Sequence, residues 1–170
     1  MSNFVYEETR KLIRRYSTRD PFQLLEALHV VVRESDRFAK LKGFCFLSCR
    51  TTYVVINEAL SPAEKRIVAA HELGHILLHR SQLQLAPMKD DVLYDMTSRN
   101  EYEANLFAAE LLIPDEDLKV CSNDPELDYF ALCSSLQVSP DLMSFKLFGM
   151  LKRGMQVNMP LEINSRFLSH

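Results

Sequence analysis

His71-Glu72-Leu73-Gly74-His75 reads H-E-x-x-H, and no other stretch constrains the fold as strongly. Two imidazoles four residues apart share one face only on an α-helix, so Val68–His79 has to be helical for them to act together. On such a helix His71 and His75 hold one zinc ion through neutral ring nitrogens. Glu72 lies about 100° further round, beside the metal, where a general base for an attacking water is needed. The flanks support a buried element. Ser61-Pro62-Ala63-Glu64 has the form of a capping box with Pro62 at the first helical position. Ile67, Val68, Gly74, Leu77 and Leu78 give an apolar face. The competing reading is a helix that merely carries two surface histidines.

A zinc site open to chemistry takes three protein ligands and leaves a fourth position for water. The third is sought in Glu101-Tyr102-Glu103-Ala104-Asn105-Leu106-Phe107-Ala108-Ala109-Glu110-Leu111-Leu112-Ile113-Pro114, a second run of helical period that ends at proline. Glu101 and Glu103 compete. Glu101 shares its face with Ala104, Asn105, Ala108, Leu111 and Leu112, whereas Glu103 shares a more polar face with Leu106 and Glu110. A carboxylate on a packed face needs a partner, which favours Glu101 as the ligand. Asn105, one turn on, is placed to hydrogen-bond a ligand. The alternative for Glu101 is the third residue of a Ser98-x-x-Glu101 capping box. A three-histidine pattern is excluded, because Leu78 and Ser81 stand where its glycine and last histidine belong. His79 is expected to end the helix favourably against its dipole, or to line the rim of the site.

Ala70-His71-Glu72-Leu73-Gly74-His75, followed by E-x-E-A-N-x-F-A-A-E-L-L-x-P, resembles the ImmA/IrrE family of zinc metallopeptidases. Asp20-Pro21-Phe22 before Leu24-Leu25, Leu41-Lys42-Gly43-Phe44 and Val54-Val55-Ile56-Asn57 fall where that family has similar segments, so the likeness covers nearly all of the first 114 residues. One departure is Ile113, where the family has methionine, an apolar exchange. The resemblance implies a gluzincin-like site with His71, His75 and Glu101 as ligands and Glu72 as base. It also implies a protein substrate, a helix-turn-helix repressor whose cleavage derepresses mobile-element or stress-response genes. Zinc is the expected cofactor, with Mn2+ able to replace it where availability decides. A second class of function keeps the metal site but docks on a transcription factor without turnover.

The fold class that follows is α+β: a gluzincin-like zincin core of helices on a small twisted β-sheet (residues 1–114), then a C-terminal helical extension packed on it (115–170). A chain of 170 residues, 47% hydrophobic, buries a core without staples. A net charge of −3 argues against direct nucleic-acid binding over a broad surface, and four glycines with no glycine-rich loop argue against a phosphate cradle. No apolar run is long enough to span a bilayer, and Met1 to Arg15 is charged rather than signal-like. Cys45 and Cys49 on one strand would stand roughly 13 Å apart, too far to bridge. Cys121 and Cys133 read as core fillers, and four thiols imply a cytoplasmic protein.

Residues 3–16 read as an amphipathic helix, and Asp20-Pro21 starts a second that runs to about Leu28. Val30–Val32, Gly43–Ser48 and Tyr53–Asn57 read as strands, and Lys89–Thr97 as a loop. An extended peptide substrate is expected to add to an exposed sheet edge. Tyr53, Val54, Val55, Ile56 and Asn57 are the candidate edge strand because they lead into the H-E-x-x-H helix; the alternative is a central strand covered on both sides. His79, Tyr94 and Tyr102 are the candidates to stabilise an oxyanion. Leu127–Leu136 and Leu142–Leu151 read as a helical hairpin, faintly like a helix-turn-helix but with Gln137 in the glycine position. Lys146, Lys152 and Arg153 form a thin basic patch on it, better suited to a protein partner than to DNA.

Overall fold

The structure, a computed structural model, describes residues 2–83, 88–90, 98–121 and 129–156. It is an α+β fold in which the helices carry the core and a small sheet lies against them. Helix α1 (Ser2–Tyr16) and helix α2 (Pro21–Ala27) come first. The α2 start follows from its chemistry: the Asp20 side chain accepts from the backbone N–H groups of Phe22 and Gln23, and Pro21 takes the first turn. Strands β1 (Val31–Ser35), β2 (Gly43–Ser48) and β3 (Thr51–Asn57) follow. β2 and β3 form a hairpin whose two turn residues, Cys49 and Arg50, both have positive φ (48° and 66°), the sign that the twist of a two-residue hairpin loop demands.

The sheet order is β1-β3-β2-β4, where β4 is Met88–Asp90. β1 runs parallel to β3; β2 is antiparallel to both β3 and β4. Tyr53–Asn57 is therefore an inner strand and not the edge. Closeness in sequence to the next helix does not decide strand position, because β1 returns alongside β3 on the side that the β2 hairpin leaves open. The loop reading of Lys89–Thr97 is also corrected at its start, since Lys89 and Asp90 pair with Phe44 and Gly43. Residues 91–97 lie outside the described residues. Gly43, Cys45, Val54 and Ile56 are buried and share the face that packs on the helices.

Helix α3 (Pro62–Leu78) begins with the full capping box: Ser61 Oγ accepts from the Glu64 N–H, and the Glu64 carboxylate accepts from the Ser61 N–H. After a short turn of helix, α4 (Arg80–Leu83), helix α5 (Arg99–Leu112) returns and packs more extensively on α3 than any other helix does. Gly74 sets how close they come. A Cβ there would lie 3.1 Å from the Ala104 Cα and 3.2 Å from the Phe107 Cβ. The backbone atom has no rotamer with which to yield. Gly74→Ala is expected to cost about 1–3 kcal/mol, read as a lower midpoint in urea unfolding.

Helices α6 (Asp115–Cys121), α7 (Tyr129–Ser135) and α8 (Pro140–Lys152) complete the described chain. Gln137 does adopt the left-handed conformation (φ 53°) that the turn between α7 and α8 requires. The hairpin is held by the Tyr129 hydroxyl donating to the Pro140 carbonyl at 2.7 Å. α8 packs on α5, and the basic-patch reading fails there. Lys146, with 1% of its side chain exposed, is ion-paired with Glu110 of α5 and Asp115 of α6. Arg153 joins the same two carboxylates and lies 4.0 Å over the Tyr6 ring of α1. Of the three cations only Lys152 is exposed. The charges face inward because Glu110, itself 2% exposed, could not be buried without them. Lys146→Met leaves these carboxylates with Arg153 as their cation, so the expected loss is about 3 kcal/mol, the lower end for a broken buried pair, measured by urea unfolding. Among the described residues no helix is long and apolar enough to cross a membrane.

Candidate metal centre

Helix α3 points His71 and His75 at the first turn of α5. Their Nε2 atoms stand 3.0 Å apart. Glu101 completes a triangle, with Oε2 3.2 Å from His71 Nε2 and Oε1 3.4 Å from His75 Nε2. Donors bound tetrahedrally at about 2.0–2.1 Å from a zinc ion stand about 3.3–3.4 Å from one another. The two Nε2 atoms and the Glu101 carboxylate, which turns one oxygen to each ring, thus stand at spacings near those of donors around one ion. Both imidazoles are fully buried, and the Glu101 side chain is 19% exposed, so the open side of the triangle lies toward Glu101. Among the described residues this is the group of three side chains able to hold a metal ion.

Glu101 is indeed the third residue of α5, and its N–H donates to Ser98 Oγ at 3.1 Å. Its carboxylate goes to the two histidines instead of back to the helix start, so the cap uses only the backbone of this residue and leaves the side chain for the site. Burial pushes the Glu101 carboxyl up, but hydrogen bonds from His71 and His75 and their charge outweigh it and hold it well below the usual carboxylate range. The group stays an anion, as a ligand must.

Glu72 is fully buried on α3, next to His71 in sequence. It lies beside the start of β2: a Cβ added at Gly43 would come 3.4 Å from Glu72 Oε1 and 2.5 Å from Val68 Cγ1. Gly43 thus allows β2 to pass directly over the turn of α3 that carries the candidate base. Motif reasoning passes over this residue; its only signal is a glycine opening a β-rich run in a chain with four glycines. β2 therefore borders the turn of α3 that carries Glu72.

The remaining candidates separate. His79 caps α3, its N–H donating to the His75 carbonyl at 2.9 Å, and its ring is buried against that of His75. Glu103 does not reach the triangle; it meets His79 at 3.1 Å and accepts from Arg99 Nε at 2.8 Å. Burial raises the Glu103 carboxyl, yet the hydrogen bonds from Arg99 and His79 leave it lowered. Asn105 is buried one turn beyond Glu101 on α5. The Tyr102 ring packs at 5.9 Å on Phe145 of α8, and burial raises its hydroxyl above the usual tyrosine range. Tyr94 lies outside the described residues. Cys45 is buried in β2 and Cys49 is exposed in the hairpin turn; both carry thiols.

An H-E-x-x-H helix faced by a carboxylate from a second helix, beside a small mixed sheet, is the arrangement of gluzincin-type metallopeptidases. The chain belongs to the peptidase family described as the IrrE N-terminal-like domain, whose model matches residues 25–148. That match runs from α2 through most of α8 and so takes in the whole candidate site and the helical hairpin. The chain is also similar to an uncharacterized immunity region protein of Bacillus phage phi105, 37% identical over 106 residues, or 62% of this chain and 66% of that protein. The chain therefore spans just under two thirds of that relative's length.

Proposed function

We propose that the chain is a zinc-dependent, site-specific endopeptidase in which His71, His75 and Glu101 hold the metal and Glu72 is the general base. The observation that carries this reading is the meeting of two buried Nε2 atoms with one carboxylate, beside a second carboxylate in sequence, the fully buried Glu72 that follows His71 on α3. The metal held there supplies Lewis acidity for a scissile carbonyl and makes water more acidic. Glu72 removes the proton from the attacking water and delivers it to the leaving amine. Burial of His71 and His75 keeps both rings fixed in orientation, so no reorganisation is needed when substrate arrives. Mn2+ is the alternative occupant of a His/His/Glu set.

The substrate we propose is a protein, a helix-turn-helix repressor, and the consequence of its cleavage is derepression of mobile-element or stress-response genes. Support comes from the family membership and from a relative named for the immunity region of a phage. A cytoplasmic setting accords with such a substrate. Residues 1–114 form the peptidase core of this reading, and 115–170 an extension packed on it. Direct contact with nucleic acid has no part in it, since Lys146 and Arg153 are consumed by internal ion pairs. The test is incubation of the zinc-loaded chain with the helix-turn-helix repressor encoded beside its gene, with mass spectrometry of the products. One discrete cut that chelation abolishes and added zinc restores is the expected result. An intact repressor, with zinc bound, contradicts the proposed substrate.

A further inference from the structure

A chain of buried polar contacts leads away from the candidate metal centre. His75 Nδ1, the ring atom not facing the triangle, lies 3.1 Å from His79 Nδ1. His79 Nε2 lies 3.1 Å from Glu103 Oε2, and Glu103 Oε1 accepts from Arg99 Nε at 2.8 Å. The order of protons along it follows from elementary bookkeeping of donors. Once His75 presents Nε2 as a ligand, its proton is on Nδ1 and must be donated. The recipient, His79 Nδ1, must then be bare, which places the His79 proton on Nε2, where the Glu103 carboxylate accepts it. Every step has one donor and one acceptor only if His79 is neutral.

We infer that His79 and Glu103 are positioning residues that fix the tautomer and orientation of His75, so that an imidazole relays to it the carboxylate that usually holds a metal-binding histidine directly. The inference rests on the metal-centre reading above and deepens it. A ligand histidine generally donates its second N–H to a carboxylate or carbonyl, and loss of that partner costs about 10–100-fold in metal affinity. Here Glu103 reaches His75 only through His79, one turn further along α3. The E-x-E spacing then acquires a meaning: Glu101 turns toward the metal, while Glu103, about 200° further round α5, anchors the far end of the relay. Arg99, at the exposed start of α5, fixes that carboxylate in turn.

Three variants test this: His79→Leu, which keeps bulk but accepts no hydrogen bond; His79→Asn, whose amide oxygen can still accept from His75; and Glu103→Leu. Zinc affinity is measured by chelator competition, and the tautomer of His79 by long-range 1H–15N spectra of the zinc-loaded and metal-free protein. The expected results are a His79 ring protonated on Nε2 alone, a loss of about 10–100-fold in zinc affinity for His79→Leu and Glu103→Leu, and recovery of most of it in His79→Asn. A merely structural role would not be rescued by the smaller asparagine. A wild-type His79 protonated on Nδ1, or a His79→Leu protein that holds zinc as tightly as wild type, overturns the inference. The failures are separable. A wild-type chain that binds no zinc sinks the metal-centre reading and the relay with it, whereas a zinc-loaded chain with His79 protonated on Nδ1 sinks the relay alone. A chain that binds zinc but cleaves nothing leaves the relay standing.

Discussion

Glu72→Gln is expected to abolish cleavage of the repressor while zinc stays bound. The amide is nearly isosteric with the carboxylate and sits at the same buried place on α3, so His71, His75 and Glu101 keep their geometry. What is lost is the ability to take a proton from water, worth about 10²–10⁴-fold in rate. The defect should appear in kcat and not in KM, because Glu72 is needed for the reaction and not for docking. This variant also separates the two classes of function. A protein that works by binding a transcription factor without turnover has no use for a base, and its biological output would survive the substitution. Full output from Glu72→Gln would therefore remove the endopeptidase reading and leave a docking protein with a metal site.

The second large effect is expected at Glu101. Structural zinc sites are worth about 10–16 kcal/mol in apparent binding free energy, or about 2.5–4 kcal/mol for each of four ligands. Glu101→Ala should accordingly weaken zinc binding by about 100-fold or more. The helix itself should be spared. Ser98 caps α5 through the backbone N–H of residue 101, which alanine retains, and alanine is a good helix former. The helical content of the metal-free protein, read by far-ultraviolet circular dichroism, should therefore stay close to wild type while chelator competition shows the loss. Unaltered zinc affinity in Glu101→Ala would mean that the third ligand lies elsewhere, and that the Ser98 box is all that Glu101 serves.

The parts of this molecule that could be read from the chain are those governed by local geometry. His71 and His75 meet because a helix brings residues four apart onto one face, and the Ser61–Glu64 box announces where that helix begins. Glu101 was separable from Glu103 by the face argument, yet one premise of that argument does not hold. α5 is buried from Glu103 to Leu112, so there is no polar face, and the Glu103 side chain is less exposed than that of Glu101. Glu103 and Glu110 look like surface residues in the sequence because their cations, Arg99, Lys146 and Arg153, are distant in the chain or indistinguishable from solvent-facing charges. The same non-locality hides the inner position of β3, which depends on β1 returning parallel to it. β4 is three residues held by backbone pairing, too short to carry any side-chain period. Gly43 matters only because β2 crosses α3 at that point, a contact between segments that nothing in either segment announces.

The central claim, one metal held by His71, His75 and Glu101 beside Glu72, is tested most directly by locating zinc in crystals of the wild-type protein from anomalous scattering at the zinc edge. The expected result is one zinc per chain, bonded to the Nε2 atoms of His71 and His75 and to the Glu101 carboxylate at about 2.0–2.2 Å, with a fourth position left for water. Zinc bound through the cysteines, or no zinc between α3 and α5 in protein loaded with it, would contradict the account.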